Sequence, residues 1–241
     1  MNRRMRTYFY AVFGAIGGLI GWQMSNFLGL SFITNLYLSE AVVGALIGFV
    51  IGLCIGVTEG LLTQNFVQAI KAGLFSALLG LVAGAIGLPL SEYLFQAVGA
   101  GFLGRALGWG VFGLLLGFAE GVVGKSQAWK GMLGGLIGGA LGGVLLESAP
   151  NWLGNPLSGK AAGLVLLGAS VSAFISLIVV LLSRAWLEVA SGKLKGTEFI
   201  LDKFMKAGGP AIAIGSSALK SEIFLPDPDI APQHAKLTGD G

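Results

Sequence analysis

Six long apolar stretches are the feature that most limits how this chain can fold. They lie at residues 7–29, 41–62, 67–88, 102–123, 128–146 and 161–183. A helix needs about 20 mostly apolar residues to cross a bilayer, and backbone groups in hydrocarbon must be satisfied within the segment. The pattern therefore predicts an all-α transmembrane bundle of about six helices.

Charge is scarce in the first three quarters of the chain and ordinary afterwards. Charged residues make up 11% of the sequence and the mean hydropathy is +0.82, whereas soluble domains carry about 25% charged residues. The shift near Ser183 predicts a transmembrane domain at residues 1–183 and a small soluble domain at 184–241. The basic N-terminus before the first stretch also fits a signal peptide, but the long apolar run favours a spanning helix.

The apolar stretches form an internal repeat. The run IGVTEGLL at residues 55–62 resembles LGFAEGVV at 116–123, so the helix pair 41–88 recurs as 102–146. Glu59 and Glu120 occupy equivalent positions in the two copies. Ionisable residues in spanning segments are functional candidates by default. Both acids, however, lie near the cytosolic ends of their segments, where a structural ion pair is our preferred interpretation over ion binding.

Glycines recur every fourth residue along the repeated helices, which is the pattern of a glycine zipper. Residues four apart share one face of a helix, and small residues there let two backbones approach closely in a membrane. We therefore interpret the rows as packing surfaces in preference to a pore lining. The glycines concerned are Gly44, Gly48, Gly52, Gly56, Gly60, Gly73, Gly80, Gly84, Gly113, Gly117 and Gly121.

Lysine and arginine near the segment ends indicate the orientation. Arg6 precedes the first segment, Lys71 and Lys130 lie near connections on the same side, and Arg184 follows the sixth segment. Cytosolic loops carry an excess of Lys and Arg, so six crossings predict that both termini are cytosolic. Arg105 and Lys160 fall on the opposite side as exceptions.

The soluble domain contains short β-type runs separated by Gly, Pro, Asp and Ser. Such runs indicate an antiparallel sandwich. The predicted strands lie at residues 186–189, 198–201, 211–214, 222–225 and 233–237.

The order of these pieces resembles a forkhead-associated (FHA) domain, a β-sandwich that binds phosphothreonine peptides. The resemblance covers residues 186–241 and is carried by LEVASG at 187–192, the Ile-Gly of 214–215, SEIFL at 221–225 and IAPQHA at 230–235. The helical part is similar to glycine-rich bacterial membrane proteins that carry such a C-terminal domain. The resemblance implies location in the bacterial inner membrane and a module that docks protein partners.

Two residues depart from the family pattern at its phosphate site. Ser216 stands where the family usually has an Arg, and Ala231 where it usually has a Ser. A phosphate site needs charge-assisted donors, so phosphate dependence is in doubt unless Ser217 and Lys220 substitute for the missing groups. His234 matches a family histidine that is mostly structural.

Several function classes are excluded by composition. One histidine removes the usual catalytic triads and zinc sites, and the chain has no basic stretch typical of nucleic-acid binding. We predict no enzymatic activity, cofactor, metal or nucleic-acid partner. The leading hypothesis is a membrane-anchored scaffold or assembly subunit with a cytosolic FHA-like docking module, as a homo- or hetero-oligomer. The alternative is a channel or transporter subunit with a regulatory tail.

Overall fold

Six long helices and five short strands make up the described part of the chain. The computed structural model of the chain describes residues 3–30, 34–99, 101–123, 128–202, 204 and 210–239. The helices are α1 (Arg3–Phe27), α2 (Leu36–Leu62), α3 (Phe66–Ala97), α4 (Phe102–Val123), α5 (Ala128–Leu153) and α6 (Pro156–Leu181).

Five of these helices, α2 to α6, are long and apolar enough to cross a membrane. This supports the prediction of a helical membrane protein. Helix α1 is not in that group, although its 25 residues give it a length of about 38 Å, enough to span a bilayer.

Helices α3 and α5 are longer than the predicted segments because each continues through a proline. Pro89 lies inside the 32-residue α3 and Pro150 inside the 26-residue α5. Hydropathy falls at these points, but helical hydrogen bonding continues beyond the apolar stretch. The two helices therefore continue to Ala97 and Leu153, beyond the apolar stretches, and Tyr93 and Trp152 are exposed on them.

The six helices form a closed ring. Each helix contacts the next along the chain, and α6 returns to contact α1. The helix termini consequently lie at two ends. The first end carries the start of α1 and the α2–α3 turn, and the second end carries the α3–α4 and α5–α6 connections.

Glycines lie in all six contacts of this ring. Between α2 and α3, a Cβ on Gly48 would overlap the carbonyl oxygen of Gly80; between α4 and α5, one on Gly117 would overlap that of Gly131. At the closing contact, a Cβ on Gly168 of α6 would overlap the carbonyl oxygen of Gly14 in α1. The helix backbones therefore approach too closely at these points for any larger residue.

Large apolar side chains fill the centre of the ring. Ile51, Phe112 and Leu167 are completely buried there. The Trp109 ring packs edge-on against Phe112 with 5.4 Å between ring centroids. Within the described residues, the middle of the ring is thus a packed core and not an open channel.

After α6, the described residues form two small sheets. The strands are β1 (Trp186–Glu188), β2 (Glu198–Ile200), β3 (Ile212–Gly215), β4 (Ile223–Phe224) and β5 (Ala235–Leu237). The first two form an antiparallel pair, and β3 lies between β4 and β5. Four strands fall within a predicted run, and β3 extends one residue past its run, to Gly215. The predicted sandwich stays a prediction.

One strand pair differs from the antiparallel arrangement expected from the sequence. Strand β3 pairs with β4 in parallel and with β5 antiparallel. The chain between β3 and β4 folds back through a turn in which the backbone amides of Lys220 and Ser221 donate to the Ser217 carbonyl. That return brings β4 alongside β3 in the same direction.

Candidate functional site

The two loops that the family resemblance points to meet in the structure. The Ser216 amide donates to the Ala231 carbonyl at 3.0 Å, and the Ser216 hydroxyl donates to the Ile230 carbonyl at 2.6 Å. The Ser216 hydroxyl thus has a backbone partner, and Ala231 provides no side-chain donor. These two positions connect one loop to the other.

The other three predicted recognition residues lie nearby but have different environments. His234 is exposed, and its amide donates to the Ile214 carbonyl at 2.8 Å as part of the β3–β5 edge. The Ser217 carbonyl holds the turn before β4. Lys220 lines a groove of about 680 Å³ between this turn and the start of α3, and Lys71 lines the same groove. Lys220 therefore belongs to this groove as well as to the turn before β4.

A buried ion pair joins the β-rich tail to the helix ring. Lys130 in α5 pairs with Asp202, and each side chain is only 3% exposed. The Lys130 ammonium also donates to the Leu182 carbonyl at 2.8 Å, just past the end of α6. The second Asp202 oxygen accepts from the amides of Arg184 and Ala185 at 2.9 and 3.1 Å. This group, called the Lys130–Asp202 junction below, fixes where the tail begins.

The environment of Asp202 keeps its carboxylate ionised. Burial opposes ionisation, but the Lys130 ammonium and the two backbone amides stabilise the anion, so the pKa of Asp202 lies below its ordinary value. A lowered pKa contributes stability that is present above the unfolded value of about 3.9 and is lost as pH falls through the folded value.

Asp202 accordingly stays ionised between about pH 5 and 8, so we expect no change in tail attachment from this residue there. Its protonation should weaken the attachment only below the ordinary aspartate pKa of about 3.9. Cleavage within residues 184–241 of the full chain by an acid-tolerant protease, measured from about pH 8 down to about pH 3, checks the expectation. Asp202→Asn removes the titrating group, so its cleavage should lack the acid step. An acid step of equal size in that variant would assign it to other carboxylates.

Glu59 and Glu120 both belong to a second polar cluster, at the first end of the ring. The Arg6 guanidinium pairs with Glu59 at 2.9 Å, and the Ser76 hydroxyl donates to Glu120 at 3.2 Å. The Arg6 guanidinium also lies 5.4 Å from the centre of the buried Tyr10 ring. The two repeat-equivalent acids therefore have unequal partners, a cation for one and a hydroxyl for the other.

Because Glu59 and Glu120 have different partners, removing a charge at each should reduce the free energy of unfolding by different amounts. Arg6→Gln removes the ion pair at 2.9 Å between Arg6 and the largely buried Glu59, and we expect a loss of about 2 kcal/mol in the free energy of unfolding. Glu120→Gln keeps an oxygen that accepts from Ser76, so the loss should be below about 1 kcal/mol. Thermal unfolding of both variants in one detergent measures the difference. Equal losses would contradict the pairing.

The second end of the ring contains a cavity of about 640 Å³. Apolar side chains of the ring form its wall, and Arg105, Glu147 and Lys160 are its charged lining residues. Arg105 contacts Glu92 at 3.2 Å and Glu147 at 3.3 Å. Arg105 and Lys160, the two cations that did not follow the orientation rule, thus both line this cavity.

Sequence reasoning found the repeated acids but missed the Lys130–Asp202 junction and the cavity. Asp202 is 72 residues from Lys130, and no local pattern relates them. Arg105 and Lys160 did carry a signal, since each is a cation on the side where few were expected. Within the described part of the chain, no group of three or more His, Cys, Asp or Glu residues is arranged to hold a metal.

Fold and composition together define a helical membrane protein with a small β-rich C-terminal region. No protein-family model matches the chain, and no curated protein or solved structure does either.

Proposed function

We propose that this protein is a membrane-anchored assembly subunit whose helix ring holds an FHA-like docking module at the cytosolic face. The Lys130–Asp202 junction is the observation that carries the proposal. A buried ion pair between α5 and the tail, with backbone hydrogen bonds to both of its partners, gives the module a fixed position on the ring. A flexible tether would not need such a junction.

The proposed topology has six crossings of the bacterial inner membrane with both termini in the cytosol. Five helices meet the length and hydropathy needed for a span, and α1 completes the ring between α2 and α6. Arg6, Lys71 and Lys130 lie at the end of the ring where the tail is attached. Cytosolic ends carry the excess of Lys and Arg, which supports placing the tail in the cytosol.

Docking is proposed to be independent of phosphate. The Ser216 hydroxyl donates to a backbone carbonyl, Ala231 has no side-chain donor, and Lys220 lines the groove beside α3. A phosphate group would therefore meet no clustered charge-assisted donors at the family's position. A partner would instead recognise the loop surface around Ser217 and the exposed Leu219.

Co-purification of the full chain from native membranes tests the proposal, with half of each sample treated with phosphatase. We expect the same partners in both halves, and fewer with Leu219→Arg, which places a charge on the 73% exposed Leu219. Lys193→Gln in the β1–β2 turn serves as the matched surface control. Partners lost on phosphatase treatment would indicate a phosphate reader. The absence of any partner would contradict the docking role.

A second candidate function is a channel or transporter subunit. It is favoured by the closed helix ring with a cavity at one end and the Arg6–Glu59 ion pair at the other. The packed core between them fits a closed state better than an open channel. Reconstitution into liposomes tests this candidate, and no conductance or solute uptake would remove it.

A further inference from the structure

We infer that the cavity at the second end of the helix ring binds a small amphipathic carboxylate. The volume of about 640 Å³ lies within the range of about 300–1,000 Å³ that is typical of small-molecule sites. The inference goes beyond the proposed function and does not depend on it, since a docking subunit and a transporter can each carry such a site.

The inner wall of the cavity suits an apolar chain. Ile47, Leu88, Trp109 and Leu164 form it, and each is at most 9% exposed. These side chains belong to α2, α3, α4 and α6, so the site requires the closed ring. Burying hydrocarbon against such a wall stabilises a bound ligand by about 25 cal/mol for each Å² removed from water.

Among the charged groups that line the cavity, a cation is the one left to pair with a ligand. Two cations, Arg105 and Lys160, line the cavity together with one acid, Glu147. Glu147 already pairs with Arg105, which also contacts Glu92 outside the lining. Lys160 is exposed and forms no ion pair with any described residue. Arg105 is thus already shared by two carboxylates, and Lys160 is the lining cation that remains available to pair with an anionic ligand.

The position of Lys160 strengthens this preference. It lies in the second turn of α6, where Asn155 caps the helix by accepting from the amides of Leu157 and Ser158. The start of a helix carries partial positive charge, so Lys160 adds to the local field instead of offsetting it. A carboxylate at the rim would meet both, with its chain directed towards Trp109.

Quenching of tryptophan fluorescence by ω-bromododecanoate tests the inference, because the bromine quenches a ring that it reaches. The full chain is placed in nanodiscs of zwitterionic lipid. We expect saturable quenching that is lost when Trp22 and Trp109, both lining the cavity, are replaced by Phe. Lys160→Gln should weaken binding about fivefold, as expected for a partly exposed ion pair, while Lys193→Gln should leave it unchanged.

Three further measurements decide the ligand class. The matched ω-bromododecanol should bind more weakly than the carboxylate, and a bromoalkyl trimethylammonium more weakly still. Asn26→Phe, which fills the rim of the cavity without adding a fluorophore, should abolish saturable quenching. Equal affinity of the Lys160→Gln and Lys193→Gln variants, or tighter binding of the ammonium probe, would overturn the inference.

Discussion

Lys130→Met is expected to release the β-rich tail from the helix ring. Asp202 would then be a buried carboxylate without its cation, and breaking one side of a buried pair costs about 3–5 kcal/mol. The Leu182 carbonyl would lose its donor as well. Since about 1.4 kcal/mol corresponds to a tenfold change, opening of the tail should become at least about a hundredfold more frequent.

Limited proteolysis of the full chain in detergent measures that opening through cleavage within residues 184–241. Lys193→Met is the matched control, because it removes an exposed lysine of the tail that has no part in the junction. The double variant Lys130→Met and Asp202→Leu should be cleaved more slowly than Lys130→Met alone, since no unpaired charge remains. A single variant as resistant as the parent chain would mean that other contacts hold the tail.

Much of the helical architecture is predictable from the sequence, because lipid imposes a minimum length and apolar composition on each span. Helix α4 begins and ends where the hydropathy pattern indicates, at Phe102 and Val123. Helices α3 and α5 extend further than the pattern indicates. Hydropathy reports the stretch that faces hydrocarbon, whereas a helix ends where its backbone hydrogen bonds end, and Pro89 and Pro150 did not stop either one.

Hydropathy does not predict that the ring closes or which polar residues meet within it. The contact between α1 and α6 places Gly14 against Gly168, and these residues are separated by almost the whole membrane domain. The acid Glu59 pairs with Arg6 from a helix outside the repeat. The repeat marked Glu59 and Glu120 as equivalent, but the non-repeated α1 gives one of them a cation, so their chemistry differs.

Gly48→Ala is expected to destabilise the ring, against the intrinsic preference of a helix for alanine. In an isolated helix the exchange would be favourable by about 1 kcal/mol. Here the new Cβ would overlap the Gly80 carbonyl oxygen and lie 3.0 Å from the Gly84 Cα. Both are backbone atoms, which cannot rotate away as a side chain does. Helices α2 and α3 must therefore separate, at a cost of about 1–3 kcal/mol.

The sign of the change in melting temperature in one detergent distinguishes the helix preference for alanine from the overlap with the neighbouring backbone. A rise would indicate the first effect and a fall the second. Gly117→Ala, in the second copy of the repeat, should also lower it, since its Cβ would overlap the Gly131 carbonyl oxygen. Gly101→Ala is the control, because nothing lies within 4 Å of a Cβ there, and it should leave the value unchanged or slightly higher. Gly48→Leu should lower the melting temperature more than Gly48→Ala does, because the larger side chain needs a wider gap between α2 and α3. A higher melting temperature for Gly48→Ala would mean that the α2–α3 contact adjusts without loss, and that the large side chains inside the ring hold it together.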